Sequence, residues 1–201
     1  KKLLNRKFRH PLGVYLGVKR ACWDTRFEPT DIYKHARPYG RRVICIKGST
    51  TKGAPAVTNI QKNVQHGVRI ATVGSSELKS QVYDMITPAI ETKTVVQFSK
   101  AIDSDGEEMF GETYFEGLTC EDRTEEPCAG RLVPVFKHDR VVRNEPLDTF
   151  GYALAASKFD KFNYEKAREA LEQRAEEAKK AGQPQPRQQQ SYINPGKGSW
   201  L

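Results

Sequence analysis

The chain has 201 residues, with 33 Lys and Arg against 25 Asp and Glu, a formal charge of +8. That length suits one domain with a substantial core plus a tail, and the basic balance favours a polyanionic partner. No apolar run approaches the ~20 residues of a membrane-spanning helix, no secretory signal pattern is present, and Cys22, Cys45, Cys120 and Cys128 contain no C-x-x-C pair, so they read as reduced intracellular thiols and not as a zinc site.

The charge is unevenly spread. Residues 1–20 carry Lys1, Lys2, Arg6, Lys7, Arg9, Lys19 and Arg20 with no acid, and no Asp or Glu stands between Asp31 and Glu77. Over residues 103–126 the sign reverses, with ten acids against the single base Arg123. One face should therefore attract phosphate and another repel it. The chain opens at Lys1 without a Met, and its first residues read like the inside of a larger protein.

After the basic residues 1–10, Val14, Leu16, Val18 and Cys22 share one parity, which predicts a strand with Asp24 on the same face at its carboxyl end. A carboxylate there is costly unless solvated, paired or bound to metal, so Asp24 is a candidate site residue. The competing reading is an Asp that caps the turn into Thr25-Arg-Phe-Glu-Pro29. Thr30 is placed to cap a helix reaching about Tyr39, with Ile32, Tyr33 and Ala36 inward and Gly40 ending it. Arg42-Val-Ile-Cys-Ile-Lys47 is an almost unbroken apolar run, the pattern of a strand covered on both faces. The polar loop Ser49-Thr-Thr-Lys-Gly53 follows. Neither it nor any other segment has the Gly-x4-Gly-Lys-Ser/Thr spacing, so the chain is not expected to hydrolyse ATP by itself.

Gly67 to Val73 predicts another strand, and Gly74-Ser-Ser76 the start of a helix with Leu78, Val82, Met85 and Ile86 on one face, stopped before Pro88. Lys79 falls in the first turn, where the helix dipole disfavours a cation; a nearby anion would account for it. Thr94 to Phe98 reads as a short strand, Asp103-Ser-Asp-Gly106 as a turn, and the stretch after Phe110, Tyr114, Phe115 and Leu118 as an acidic loop. Arg131 to Phe136 is a further strand.

In Arg143-Asn-Glu-Pro-Leu-Asp148-Thr-Phe-Gly-Tyr152-Ala-Leu-Ala-Ala156, Asn144 suits an N-cap, and Glu145 and Pro146 suit the first helical positions. Leu147, Phe150, Gly151 and Leu154 then face inward, with Asp148 beside them near the positive end of the dipole. An acid in that place commonly complements the dipole; a second carboxylate, Asp24, makes the two together a candidate metal site. A helix from about Tyr164 to Ala181 has Leu171 as its only large aliphatic, and residues 182–199 read as a disordered tail.

His10-Pro-Leu-Gly13, the strand ending in Asp24-Thr25, Val43-Ile-Cys-Ile-Lys47-Gly48, Gly74 through Lys79, Phe115-Glu-Gly-Leu-Thr-Cys-Glu121 and Arg143 through Ala156 stand in one order. That order resembles the large terminase subunits of tailed double-stranded-DNA phages, in the branch typified by GpA of phage lambda. The resemblance covers about residues 8–158; its most specific piece is the Arg-Asn-Glu-x-Leu-Asp helix, followed by the Lys-Gly strand end. It implies an α/β, RNase H-like nuclease fold with a mixed central sheet flanked by helices, lacking its first strands in this chain. A nuclease domain over 1–162, a charged helix over 163–181 and a flexible tail over 182–201 follow, as the C-terminal part of a larger protein.

The implied function is Mg²⁺- or Mn²⁺-dependent endonucleolytic cutting of concatemeric double-stranded DNA, with two ions about 3.5–4 Å apart. Asp24 and Asp148 are the implied catalytic and metal-ligating acids. Glu77 is a further metal-ligand candidate, one residue off the place of the acid in the family's Gly-x-Asp-x-x-Lys. Lys47, Lys79 and Arg143 are candidates to meet the DNA backbone. Where relatives often have Asp-Ser-Gly, this chain has Asp24-Thr25-Arg26. The Asp that such nucleases carry on their first strand is not found in residues 1–13, so it lies upstream of Lys1 or another acid substitutes. Implied partners are the N-terminal ATPase domain of the same protein, the terminase small subunit and the portal protein, in the cytoplasm of the infected bacterial host. The rival reading is a non-catalytic module that clamps DNA with its basic face and docks on a portal or partner subunit.

Overall fold

In the computed structural model the apolar run becomes an inner strand covered on both sides. The structure describes residues 3–10, 12–87, 96, 98, 110–138, 141–159 and 163–181. In chain order its strands and α-helices begin with β1 (Lys7–Arg9), β2 (Tyr15–Gly17), β3 (Ala21–Asp24), α1 (Pro29–Ala36), β4 (Val43–Gly48), β5 (Gln61–Asn63) and β6 (Val68–Val73). There follow α2 (Ser75–Ile86), α3 (Glu112–Thr119), β7 (Glu121–Cys128), β8 (Arg131–His138), α4 (Glu145–Lys158) and α5 (Tyr164–Lys180). Among the described residues no helix is long and apolar enough to cross a membrane.

The main sheet has the order β3-β4-β6-β5, with β3, β4 and β6 parallel and β5 antiparallel at the edge. Alternate residues of β4 leave on opposite faces. Val43 and Cys45 pack with Tyr33 and Ala36 of α1, whereas Ile44 and Ile46 pack with Leu78 of α2 and Ala155 of α4. The result is a mixed α/β domain with helices on both faces of a mixed sheet. Its three parallel strands finish together at Asp24, Gly48 and Val73, the edge outside which α/β proteins place their ligands.

Three expectations differ. The strand through residues 14–24 is broken in two: β2 pairs with β1 in a small separate hairpin, and β3 starts afresh at Ala21. Gly13, at φ 83, makes the hairpin turn, and the break falls between Gly17 and Ala21: Leu16 is exposed, Val18 packs with the Val43 and Tyr33 cluster, and Cys22 packs on the opposite face. Thr30, expected as a helix cap, lies inside the helix: Glu28 is the N-cap, Pro29, whose fixed φ suits a first helical position, begins α1, and the helix gives way after Ala36 to a 3-10 segment, Arg37–Arg42. The acidic stretch expected as a loop is β7, paired with β8 through Ala129 and Gly130, both at positive φ. An exposed two-stranded ribbon needs no apolar alternation, so its charges concealed it. The strand expected at Thr94–Phe98, apart from residues 96 and 98, the turn at 103–106 and the tail 182–201 lie outside the described residues.

α3 and α4 cross at Gly117. A Cβ there would stand 2.6 Å from the Arg143 carbonyl oxygen and 2.8 Å from Pro146, so only glycine permits this approach. Gly117→Ala is expected to lower stability by ~1–3 kcal/mol through overpacking, read from urea unfolding midpoints. The same change should displace the start of α4.

Candidate active site

Asp24 lies on the α4 side of the sheet because Cys22, two residues earlier, packs there. Its Oδ1 accepts the Arg26 N–H at 3.0 Å, which turns the chain away from β3. Thr25, buried, anchors that turn: its N–H and its hydroxyl donate to the Ile46 carbonyl at 3.0 and 2.9 Å. The Asp24 Oδ2 accepts the Tyr152 hydroxyl at 3.1 Å.

Tyr152 stands one turn after Asp148 on α4, so the same helix face carries both toward β3. Burial pushes the Tyr152 phenol well above its ordinary value; the Asp24 and Asp148 carboxylates and the hydrogen bond to Asp24 add to the shift, and Arg26 opposes it. Tyr152 is therefore a neutral donor across the working pH range. Tyr152→Phe removes one donor from Asp24 while keeping the ring, and a stability loss of about 1 kcal/mol is expected by thermal melting.

Asp148 is held from the other side. Lys79 reaches its Oδ1 at 3.0 Å and the Glu121 Oε1 at 2.5 Å. Glu121 is only 4% exposed, and its Oε1 also accepts the Asn144 side-chain amide at 2.5 Å. The Tyr83 hydroxyl donates to the Glu121 carbonyl at 2.6 Å, fixing the start of β7. These two carboxylates are the anions that account for a lysine in the first turns of α2. Asn144 does occupy the N-cap of α4, yet it makes no side-chain cap, because its amide is turned to Glu121.

The fold thus brings Asp24 and Asp148 to the phenol of Tyr152, and Lys79 to Asp148. Lys47 is exposed near the carboxyl end of β4 and forms no ion pair with a described residue. Arg143, its side chain 88% exposed, pairs with Glu145 at 3.1 Å just before α4. Glu77 is not part of the cluster. Its carboxylate accepts from Gln81 at 2.7 Å, and it lines a cleft of about 400 Å³ with Gly53, Arg131 and Val133, which neither Asp24 nor Asp148 borders. Sequence reasoning gave no role to Tyr152 or Glu121. The spacing of Tyr152, four residues after Asp148, was a usable signal; Glu121 had none, as one of ten acids in its stretch.

Among the described residues, no group of three or more His, Cys, Asp or Glu is placed to hold a metal ion. Two carboxylates around one phenol nonetheless match what Mg²⁺ takes from a protein, one or two carboxylates completed by water and phosphate oxygens. Asp24 and Asp148 are the residues that would hold such an ion. Cys22 and Cys45, on neighbouring strands, are free thiols that burial pushes up to about 12 and about 11, so they stay protonated and offer no thiolate ligand.

A carboxylate pair at the carboxyl edge of parallel strands, flanked by exposed basic side chains, is the layout of an α/β enzyme site for an anionic substrate. The chain belongs to the terminase large subunit gpA endonuclease-domain family, whose family model matches residues 1–171. It is 30% identical over 155 residues to the terminase large subunit of Escherichia phage lambda, covering 76% of this chain and 24% of that protein. It is 29% identical over 160 residues to the terminase large subunit of Enterobacteria phage P21, with the same coverage, 76% and 24%. The chain therefore spans about a quarter of the length of these curated relatives. No solved structure matches.

Proposed function

We propose that this domain is a metal-dependent endonuclease that cuts concatemeric viral double-stranded DNA during packaging, on an RNase H-like sheet. The observation that carries this reading is the meeting of Asp24, from a strand end, and Asp148, from a helix start, around the single phenol of Tyr152. Asp24 and Asp148 would hold Mg²⁺ or Mn²⁺, which when bound supplies an activated water and stabilises the leaving oxygen. Tyr152 and the Arg26 N–H orient the Asp24 carboxylate. Lys79, kept in place by buried Glu121, neutralises Asp148 in the free protein and spares it a bare charge beside Asp24. Lys47 and Arg143 are exposed to meet the DNA backbone.

The pair suffices for one ion. A two-ion mechanism takes a further carboxylate, which no described residue adds to the pair. The ATPase domain, the small subunit, the portal and the host cytoplasm belong to the same reading. With Mg²⁺ or Mn²⁺ present, supercoiled plasmid and linear duplex should both be cut. EDTA should stop the reaction, and raised salt should weaken it steeply because phosphate contacts dominate. The lack of a third donor in the described cluster favours one other reading, a non-catalytic DNA clamp that docks on the portal. Tight, salt-sensitive DNA binding with no cleavage in either metal would establish that reading and remove the first.

A further inference from the structure

Next to the acid pair lies a set of donors that the hydrolytic chemistry leaves unused. The Ser75 hydroxyl, at the first residue of α2, is buried and has no hydrogen-bond partner; it is the only such side-chain atom among the described residues. It borders Gly48, at the end of β4. A Cβ on Gly48 would stand 3.0 Å from Ser75 Oγ and 2.9 Å from Arg26 Nη2, so glycine is what lets these two donors approach the end of β4 together.

Arg26 is exposed, and its guanidinium makes no hydrogen bond or ion pair with a described residue. Its own N–H is bonded to Asp24, and its charge acts on the Tyr152 phenol, which puts the guanidinium at the rim of the active site. The third component is the start of α2. Its N-cap is Gly74, which supplies no side-chain cap, and the Ala54 and Pro55 carbonyl oxygens stand 2.3 and 2.7 Å from where a Cβ on Gly74 would lie. The N–H groups of Ser75, Ser76 and Glu77 have no acceptor among the described residues. Glu77, the acid of this first turn, has its carboxylate engaged by Gln81.

A guanidinium, a partnerless buried hydroxyl and unfilled helix N–H groups around a glycine together call for one kind of ligand, a tetrahedral oxyanion. We propose that Arg26, Ser75 and the amino end of α2 form a phosphate subsite that holds a backbone phosphate of duplex DNA beside the Asp24–Asp148 pair. The subsite rests on the DNA-binding part of the proposed function. A guanidinium offers two parallel N–H donors to phosphate oxygens, and an arriving oxygen would give the Ser75 hydroxyl the acceptor that it lacks.

The test is fluorescence anisotropy of a labelled 30-base-pair duplex titrated with the full 201-residue chain in EDTA, across a range of salt. Arg26→Ala should weaken binding about tenfold and reduce the slope of log K against log salt by about 0.9, as expected when one fewer phosphate is neutralised. Ser75→Ala should weaken binding about threefold with the slope unchanged, since no charge is removed. Gly48→Ala should displace the guanidinium and reproduce the Arg26→Ala loss, and combining the two should add nothing further. Arg26→Lys should restore the slope, because the charge returns. Wild-type affinity and slope in Arg26→Ala would overturn the subsite. EDTA keeps catalysis out of the readout. A chain that binds in this way and never cuts removes the nuclease reading and leaves the subsite; one that cuts while Arg26→Ala binds normally removes the subsite alone.

Discussion

Asp148→Asn is expected to reduce metal-dependent plasmid cleavage by at least about a thousandfold, with far-UV circular dichroism and the melting temperature nearly unchanged. The amide keeps the shape of the side chain and removes the charge that a cation needs. The fold should tolerate the change because the Asp148 side chain is 33% exposed and Lys79 keeps its closer partner, Glu121, at 2.5 Å. A partly exposed pair of this kind contributes at most about 1 kcal/mol. Removing a negative charge from the site should leave DNA binding intact or strengthen it. Asp24→Asn should behave alike, since its amide oxygen can still accept from Tyr152 or Arg26. The readout is conversion of supercoiled plasmid to nicked and linear forms, and unchanged cleavage by either variant would contradict the assignment of that acid.

Glu121→Ala is expected to produce the largest loss of stability, about 3–5 kcal/mol in urea or thermal unfolding. Its side chain is 3% exposed and that of Lys79 12%, so removal leaves a nearly buried ammonium with only Asp148 as partner and strands the Asn144 amide. The same group ties β7 to α2 and to the cap of α4. Loss of Glu121 should therefore also loosen the helix start that carries Asp148, and cleavage should fall with stability. Lys79→Met should cost a similar amount, because Glu121 would keep only the Asn144 amide. The double replacement Lys79→Met/Glu121→Leu should recover much of the loss, since neither buried charge remains. A Glu121→Ala cost under about 1 kcal/mol would show that this contact is solvated in solution.

The parts of the fold legible in the sequence were those that burial writes in apolar residues. The run from Val43 to Ile46 identified a strand covered on both faces, and the α2 and α4 start signals fell within a residue of the observed helices. Asp24 was legible as a carboxylate at a strand end, because its neighbour Cys22 carries the inward parity. Less legible were elements stabilised by polar contacts. β7 holds Glu121, Asp122, Glu125 and Glu126, and a charged ribbon has no periodicity that separates it from a loop. The β1–β2 hairpin was hidden because β1, Lys7–Arg9, is exposed and basic, and because Val14, Leu16 and Val18 keep their alternation past the end of β2 at Gly17.

The site shows the same division. Asp148 stood out by its place near a helix start, but its partner Lys79, from α2, and Glu121 of β7, which shares that lysine, are brought to it only by the folded chain. The donors around Gly48 come from two further places, the turn after β3 and the start of α2. No spacing rule links Arg26 to Ser75. Topology does, because β3, β4 and β6 are parallel and deliver their carboxyl ends to one edge.

The central claim is that Asp24 and Asp148 jointly bind a divalent cation. Isothermal calorimetry of Mn²⁺ into the 201-residue chain, repeated with Asp24→Asn and Asp148→Asn, tests it most directly. Saturable binding by the wild-type chain that either substitution removes is the predicted result. Absence of saturable binding in the wild-type chain, or binding that survives both substitutions, would contradict it.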